Sequence, residues 1–444
     1  MGTTINTTEI AYQLKQTYGK EITDLFSRHT MTYNEFDKSD RKASVRPAGA
    51  GYYFSLRQGD VEGVGARWQG ALLPQPLSGD GVQGVITPKQ IYAVIRMEGL
   101  AMEAGNSDIN AFVNVQSDAV KNAYNSLVND MNRQCHGDGF GLLGTLSAAS
   151  DTLSVTVPWT GTFNNDRGTR YMKKGMVCDF YDSTGADIDT TASSVRILSI
   201  NPITKVVTFE AGAGLYKAYH PLTTAQGYTE TAGAVATGSI LVRQGARAIS
   251  HATTNTAYEL NGLNACYDDG DLIATFEGVT VTDDPEFKAN ILGNSSANRE
   301  LSIDLMLAAM DMTQARSGMR ADIMRMGLGQ RRKYFALLSP DIRFAPQVLK
   351  GGYEKLAFSQ DASVTITVDP VTQPNRIYFE PKGAIKKYEL TPIGWGGFDA
   401  NKMHWRQDYD QATMFLRVYT QLGTEARNSL TLLDDLTEPT STAF

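Results

Sequence analysis

The feature that most restricts the fold of this chain is a long, glycine-rich stretch between two segments whose composition predicts strands. Tyr52–Gln58 and Ile91–Met97 are rich in β-branched and aromatic residues and are predicted to be the two legs of one long hairpin. A connection of about thirty residues is uncommon inside a compact domain and usually is functional or is ordered by a partner. The glycines of this stretch are Gly59, Gly63, Gly65, Gly70, Gly79, Gly81 and Gly84.

Large apolar side chains stand near the middle of the same stretch. Trp68, Leu72 and Leu73 would be exposed on an isolated loop. Exposed apolar anchors gain stability only when a partner covers them. We therefore predict that these three side chains contact a partner; the alternative is a mobile loop with no role.

The strongest helical pattern covers residues 107–136. Asn106 or Ser107 can cap its start, and the glycine at 137 suits a left-handed end. About thirty residues at 1.5 Å each make a rod of roughly 45 Å. The apolar stripe of this helix is Ile109, Phe112, Tyr124, Leu127 and Met131.

Residues 151–245 have a different character, because threonine, valine and glycine dominate and short strands alternate with turns. The predicted strands are Leu153–Val157, Met176–Tyr181, Val195–Ile200, Lys205–Glu210 and Ser239–Arg243. This β-rich module interrupts a chain that otherwise mixes helices and strands, so the fold class is α+β.

The remaining elements follow this module. Helices are predicted at Arg299–Ala315 and from Ser339, Pro340 and Asp341 to the glycine pair at 351–352. The predicted strands are Val364–Val368, Arg376–Phe379, Met414–Gln421 and a partner near Leu430.

Composition excludes several classes of protein. The 444 residues correspond to about three units at roughly 150 residues per domain. With 41 basic and 48 acidic residues the net charge is −7, which does not indicate a basic nucleic-acid binder. Cys135, Cys178 and Cys266 are far apart and are predicted to be buried. Neither a secretory signal nor an apolar run of ~20 residues occurs, so we expect a soluble, reducing compartment and no membrane.

The motifs that could bind a cofactor or metal have structural explanations. Gly139, Gly141 and Gly144 spell GxGxxG, but they follow a predicted helix and not a strand, as a dinucleotide loop requires. Cys135 and His136 are adjacent, and neighbouring helical side chains point apart. We expect no cofactor and no metal.

Two groups of aspartates lack the spacing of a calcium loop and are expected in ordinary turns: Asp182, Asp187 and Asp189, and Asp268, Asp269 and Asp271. Neither a GxSxG nucleophile elbow nor an HExxH zinc motif appears, so an enzyme is not expected. A β-rich hydrolase remains an alternative only if dispersed residues such as Asp179, His220 and His251 converge.

One cluster of positive charge stands out: Arg320, Arg325, Arg331, Arg332 and Lys333. It could face nucleic acid or the acidic edge of a neighbouring subunit. The alternative is a solvated surface. Without interleaved aromatic residues for base stacking, specific nucleic-acid readout is not expected.

The order of these elements resembles the Hong Kong 97-like major capsid proteins of tailed bacteriophages over nearly the whole chain. Particular stretches are also similar to a tailed-phage coat family. They are residues 137–146, the Lys174–Tyr181 segment, Ser339-Pro340 through Leu349 to Gly351-Gly352, and Arg427, Ser429, Leu430 and Leu432-Leu433.

The resemblance implies a division of the chain: an N-terminal arm (1–50), an extended loop (51–97), a peripheral domain (98–150 and 400–436) with a spine helix (107–136), an inserted β-rich domain (151–245), an axial domain (246–399) and a C-terminal tail (437–444). It also implies pentamers and hexamers of this chain that form an icosahedral shell around double-stranded DNA. The shell would belong to a virion assembled in the host cytoplasm.

Further partners follow from the same resemblance: a separate scaffolding protein, a portal protein, packaged DNA held by non-specific contacts, and a decoration protein. Some members cross-link a loop lysine to a neighbour, but no lysine lies between Tyr52 and Pro88. Noncovalent locking through Arg57, Arg67 and Trp68 is therefore expected, with Leu72 and Leu73 as further contacts. A shell of the encapsulin type, which encloses cargo protein, is the structural alternative.

Overall fold

The computed structural model describes most of the chain. The described residues are 32–46, 49–57, 59, 63–74, 79, 81–100, 115–148, 154–158, 168–181, 195–210, 237–246, 257–338, 356–359, 363–396, 404–405 and 410–438.

A five-stranded sheet, the central sheet, is organised around its longest strand, Gln411–Thr424. Lys89–Glu98 runs antiparallel to this strand from Gln411 to Thr420. Ile385–Trp395 pairs antiparallel with its second half. The edges are completed by Asp37–Lys38, parallel to Ile385–Trp395, and by His404–Trp405. Alternate residues of Gln411–Thr424 are buried, as expected for a strand with one face on a core.

The long helix Val115–Gln134 packs on the buried face of the central sheet. Leu127 and Met131 enter the core beside Ile91 and Leu416. The predicted helix end at 136 is two residues too late, because Cys135 and His136 form a turn. Residues 107–114 of the predicted helix lie outside the described residues.

Residues 32–38, which the predicted division places in an N-terminal arm, are packed against this core. A 3-10 turn, Thr32–Glu35, precedes the edge strand Asp37–Lys38. Tyr33 and Phe36 are buried in the same cluster as the long helix. Residues 32–38 are therefore part of the main hydrophobic core and its sheet, and do not form a separate arm.

A six-stranded antiparallel sheet follows the long helix. It contains the strands of the predicted β-rich insertion, and we call it the inserted module after that prediction. It begins at Leu142–Thr145, which the prediction assigned to the segment 98–150. The five predicted strands are confirmed, and no end is shifted by more than one residue. In spatial order the strands are Leu142–Thr145, Ile240–Arg243, Val177–Tyr181, Val195–Asn201, Val206–Phe209 and Ser154–Thr156.

The third layer is a six-stranded sheet of parallel and antiparallel pairs, the mixed sheet. Its strands in spatial order are Asn290–Leu292, Thr431–Leu433, Ile377–Glu380, Ile323–Met326, Ser363–Val368 and Leu356–Ser359. Two helices accompany it. Ile303–Ser317 begins at a Ser302 cap, whose Oγ accepts a hydrogen bond from Leu305 N at 3.2 Å. Leu328–Leu338 was not predicted, and the predicted helix from Ser339 lies outside the described residues.

The predicted boundary between the segments 246–399 and 400–436 does not follow the sheets. Ile385–Trp395 belongs to the central sheet, whereas Thr431–Leu433 belongs to the mixed sheet. The chain crosses between the two sheets twice in this region, and a division by sequence position cannot represent such a crossing.

Several smaller elements complete the fold. The three-residue strand Ser44–Arg46 pairs antiparallel with Gly49–Arg57 and belongs to a separate three-stranded sheet. The others are a hairpin of Thr275–Phe276 and Val279–Thr280, the short helix Leu263–Cys266, and the 3-10 turns Gly168–Tyr171, Pro285–Phe287 and Arg427–Ser429. No helix in the described ranges combines the length and apolar character needed to cross a membrane.

A buried carboxyl, that of Glu277, lies where the central sheet meets the Thr275–Thr280 hairpin. Its Oε1 accepts a hydrogen bond from Thr424 N at 3.1 Å, while its Oε2 has no partner among the described residues. Burial raises the pKa of the Glu277 carboxyl well above its usual range, against the lowering effects of Thr424 N and the nearby Arg427.

We predict that Glu277→Gln makes the chain more stable at neutral pH. Between the ordinary glutamate pKa and the raised pKa of the folded state, Glu277 is protonated in the folded chain and ionised in the unfolded chain. The stability of the wild type therefore falls as pH rises above the ordinary glutamate pKa. The slope is at most about 1.4 kcal/mol per pH unit. Denaturant unfolding of dispersed subunits across this range measures the effect.

The amide removes this titration and keeps an acceptor for Thr424 N. The difference in stability between the variant and the wild type should therefore grow with pH. The exposed Glu286→Gln is the control, for which no growth is expected. A difference for Glu277→Gln that does not change with pH would contradict the assignment.

Candidate functional site

An antiparallel pair of strands, Gly49–Arg57 and Gly81–Ile86, forms an arm. Its register runs from Tyr52 opposite Ile86 to Arg57 opposite Gly81. The prediction that Ile91–Met97 is the second leg is wrong, because those residues lie within Lys89–Glu98 of the central sheet. Thr87 and Pro88 separate the two strands, and proline cannot donate a ladder hydrogen bond.

The base of the arm is buried against the central sheet. Tyr52, Phe54 and Ile86 form a cluster with Tyr388, and the rings of Tyr52 and Tyr388 lie 5.2 Å apart. Phe54 lies across from Gly84, and a Cβ at Gly84 would collide with the Phe54 ring. Glycine at this position therefore allows the aromatic ring to cover the strand.

Polar contacts fix the same base in place. Val85 N donates to the carbonyl of Glu277 at 2.7 Å, which joins the arm to the Thr275–Thr280 hairpin. Tyr388 Oη donates to Glu425 at 3.1 Å, and Arg41 pairs with the same carboxylate through two nitrogens. The root of the arm is thus held by both apolar packing and hydrogen bonds.

The described residues at the far end of the arm, 63–74, form a local turn of their own, which we call the tip. Ala71 N donates to Trp68 O at 3.0 Å, and Gly70 has φ of 87°. A positive φ at the third position is typical of a type II turn and favours glycine. Arg67 Nε donates to Leu72 O at 3.2 Å and closes the turn.

The apolar side chains of the tip are exposed, as the sequence predicts for an isolated chain. Trp68 is 78% exposed, and Leu72 and Leu73 are each 80% exposed. Val64, which the sequence reasoning passed over, is 90% exposed on the same tip. Arg57 is exposed at the end of its strand. The tip can therefore offer four exposed apolar side chains to a partner.

The predicted positive cluster does not form one outward surface. Arg325 is buried, paired with Glu35 and with Glu380 at 2.9 Å, and its guanidinium lies 4.7 Å from the centre of the Phe36 ring. It therefore does not face nucleic acid or a neighbour, because its charge is neutralised inside the subunit.

The other members of the cluster lie at or near the surface. Lys333 pairs with Glu300, and Arg331 is half-buried. Arg320 and Arg332 are exposed. A role for these four residues at an interface remains a proposal.

The glycine motif and the Cys135–His136 pair have structural roles. Gly139 and Gly141 take φ of 87° and 71°, and a strand follows them, not a helix. Cys135 is buried in the main core, and burial raises its pKa. His136 Nε2 lies 3.5 Å from Asp369 Oδ2, which also accepts the Thr32 hydroxyl.

The described residues include one of the two aspartate groups and Asp179 of the hydrolase alternative. Asp268 accepts hydrogen bonds from the backbone N–H groups of Gly270, Leu272 and Ile273, as the turn prediction requires. Asp179 accepts one from Gly245 N at 3.4 Å. The Asp182, Asp187 and Asp189 group and both His220 and His251 lie outside the described residues. Among the residues that are described, no three histidine, cysteine or acidic side chains gather to hold a metal.

The known proteins to which this chain is similar were found through their solved structures. No family model and no curated protein matches the chain. The capsid asymmetric unit of cyanophage A-1(L) aligns over 98% of this chain and 100% of its own, with a TM-score of 0.53 and 11% identity.

Two further capsid structures align over similar lengths. The capsid of Myoviridae phage XM1 covers 98% of this chain and 100% of its own, with a TM-score of 0.45 and 9% identity. The capsid of an empty GTA particle covers 98% and 99%, with a TM-score of 0.45 and 7% identity. From the alignment to the cyanophage structure over nearly the whole of this chain, we conclude that this chain has the fold of a bacteriophage capsid protein.

Proposed function

We propose that this chain is the structural subunit of an icosahedral shell of a tailed bacteriophage, which self-assembles and encloses double-stranded DNA. The observation that carries the proposal is the alignment of fold with the cyanophage capsid structure over 98% of this chain and 100% of the other. Such an alignment includes the arm, the long helix and the inserted module, and does not stop at one common domain.

The arm supports self-association. Its tip exposes four large apolar side chains, and burying each would contribute about 1.5–3 kcal/mol. A closed shell supplies an identical neighbour for every copy, so each tip meets the same surface and the contact is repeated many times. We therefore assign Arg57, Arg67, Trp68, Leu72 and Leu73 to contacts with a second copy of this chain.

We assign a different role in the shell to each of the three sheets, the central sheet, the mixed sheet and the inserted module. We assign the central sheet and the long helix to the peripheral domain of a Hong Kong 97-like subunit, and the mixed sheet with its two helices to the axial domain. The axial domains would meet around the fivefold and sixfold positions and form pentamers and hexamers. The inserted module would then stabilise the subunit or its neighbours, or lie on the outside of the shell.

Locking of the shell is noncovalent in this proposal. The extended arm contains no lysine, and Lys89 Nζ at its root donates to Ala257 O at 2.6 Å. Burial lowers the pKa of the Lys89 amine. This amine is held within its own subunit and does not extend toward a neighbour.

The proposal includes further partners and a place of action. A separate scaffolding protein, a portal protein and a decoration protein would act with the shell in a virion assembled in the host cytoplasm. Arg320, Arg331, Arg332 and Lys333 would contribute to a subunit interface or to non-specific contacts with packaged DNA.

Electron microscopy of the purified full chain tests the proposal. We expect closed shells of uniform diameter under suitable ionic conditions. Nucleic acid inside shells isolated from infected cells would support the viral role, whereas a specific cargo protein would favour the encapsulin alternative. A small monomer under every assembly condition would contradict the proposal.

The arm itself is tested by Trp68→Ala. Interface tryptophans often contribute about 2 kcal/mol or more, so we expect variant shells to dissociate at a lower denaturant concentration. Unfolding of the dispersed subunit should not change. Gln69→Ala, an exposed neighbour on the same turn, is the matched control. Equal shell stability for Trp68→Ala and wild type would remove Trp68 from the interface.

A further inference from the structure

A polar stripe runs along the long helix on a face that the core does not use. Asn125 and Ser126 lie three and four residues after Asn122 and four and three residues before Asn129, and Arg133 follows Asn129 by four, which places all five on one side of the helix. Ser126 is exposed, and Asn125 and Asn129 are half-buried. For the side chains of these last three residues the described part of the chain provides no hydrogen-bond partner. The stripe therefore offers amide and hydroxyl groups to a ligand.

A tight turn of the inserted module lies opposite this stripe. Met176 N donates to Lys173 O at 3.1 Å, and Gly175 between them has φ of 84°. Gly175 N also donates to Ile197 O at 2.8 Å, which holds the turn on the module. Lys173 and Lys174 occupy the turn, and together with the stripe they line one cavity of about 410 Å³.

The charges around this cavity are not balanced. Five basic side chains and one carboxylate, Asp130, line it. The arginines have partners within the subunit: Arg133 pairs with Asp130 and Glu259, and Arg170 with Glu438 at 2.9 Å.

The third arginine, Arg243, lies 3.9 Å from Asp130 and donates to Val177 O at 2.9 Å. In the described ranges neither Lys173 nor Lys174 has an ion-pair partner. Burial lowers the pKa of the Lys173 amine, because the ammonium has lost water without gaining a carboxylate of its own. A bound anion would reverse this loss.

We propose that this cavity between the long helix and the inserted module is a binding site for a phosphate group. Lys173 and Lys174 supply the positive charge, and the amides of Asn125 and Asn129 with the Ser126 hydroxyl supply hydrogen bonds to its oxygens. A tetrahedral anion with several acceptor oxygens suits donors that converge from two sides. The volume lies within the range of small-ligand sites. Two sources share this chemistry: free phosphate and the backbone of DNA.

Calorimetric titration of the dispersed full chain with inorganic phosphate tests the proposal. We expect saturable binding to one site per subunit. Lys173→Gln with Lys174→Gln should weaken it at least tenfold. The matched control is Lys42→Gln with Lys382→Gln, which removes the same charge from exposed positions and should leave binding unchanged. No saturable binding, or equal affinity in both double variants, would overturn the proposal.

A second variant guards against a loss of folding in the turn. Asn129→Asp places a negative charge on the helix side of the cavity, and it should abolish phosphate binding. The midpoint of denaturant unfolding should stay equal to that of the wild type. Unchanged phosphate affinity in this variant would overturn the proposal. A short double-stranded DNA that displaces phosphate from the wild type identifies the backbone as the source. Phosphate binding that DNA does not displace identifies the free ion.

Discussion

The strand Gln411–Thr424 is the element on which the rest of the structure depends. It is hydrogen-bonded to Lys89–Glu98 and to Ile385–Trp395, and its alternate residues enter the main core beside the long helix. Three residues after it ends, buried Arg427 donates to the carbonyls of Ala265 and Cys266. The chain then enters the mixed sheet. The segment that begins with Gln411–Thr424 thus pairs with Lys89–Glu98, the strand that follows the arm, and continues from the central sheet into the mixed sheet.

This connection explains why the base of the arm is packed against the central sheet while the tip is exposed. The base packs on Tyr388 and hydrogen-bonds to the Thr275–Thr280 hairpin, so it does not need a partner to hold its shape. The hydrogen bonds of the tip, in contrast, join residues of the tip to one another. An exposed tryptophan and three exposed aliphatic side chains are unfavourable in water, and in the proposed shell a second copy that covered them would recover that free energy. In this proposal the tip forms a contact that the isolated subunit cannot complete.

Sequence reasoning succeeded where local patterns decide the structure. The inserted module alternates β-branched residues with turns, and its five predicted strands are confirmed.

Gly81–Ile86 was missed because Gly81 and Gly84 weaken a strand pattern, yet Gly84 is required beneath the Phe54 ring. The helix Leu328–Leu338 was missed because its Gly329 is a poor helix former. Arg325 was assigned to the surface because its partner Glu35 is 290 positions away in sequence, and a pattern cannot show such a pair. The exposure of Trp68, Leu72 and Leu73 was predicted, since apolar residues among glycines need only local reasoning, whereas their contact with a partner stays a prediction.

The central claim is that the tip contacts a second copy of this chain, and hydroxyl-radical footprinting of Trp68, Leu72 and Leu73 tests it most directly. The oxidation rates of these side chains would be measured by mass spectrometry in dispersed subunits and in assembled particles. Met324, which is buried inside the subunit, serves as the reference of low reactivity. We predict that the three tip residues react rapidly when dispersed and are protected at least severalfold on assembly. Equal reactivity in both states would contradict the claim, because the tip would then remain in water within the particle.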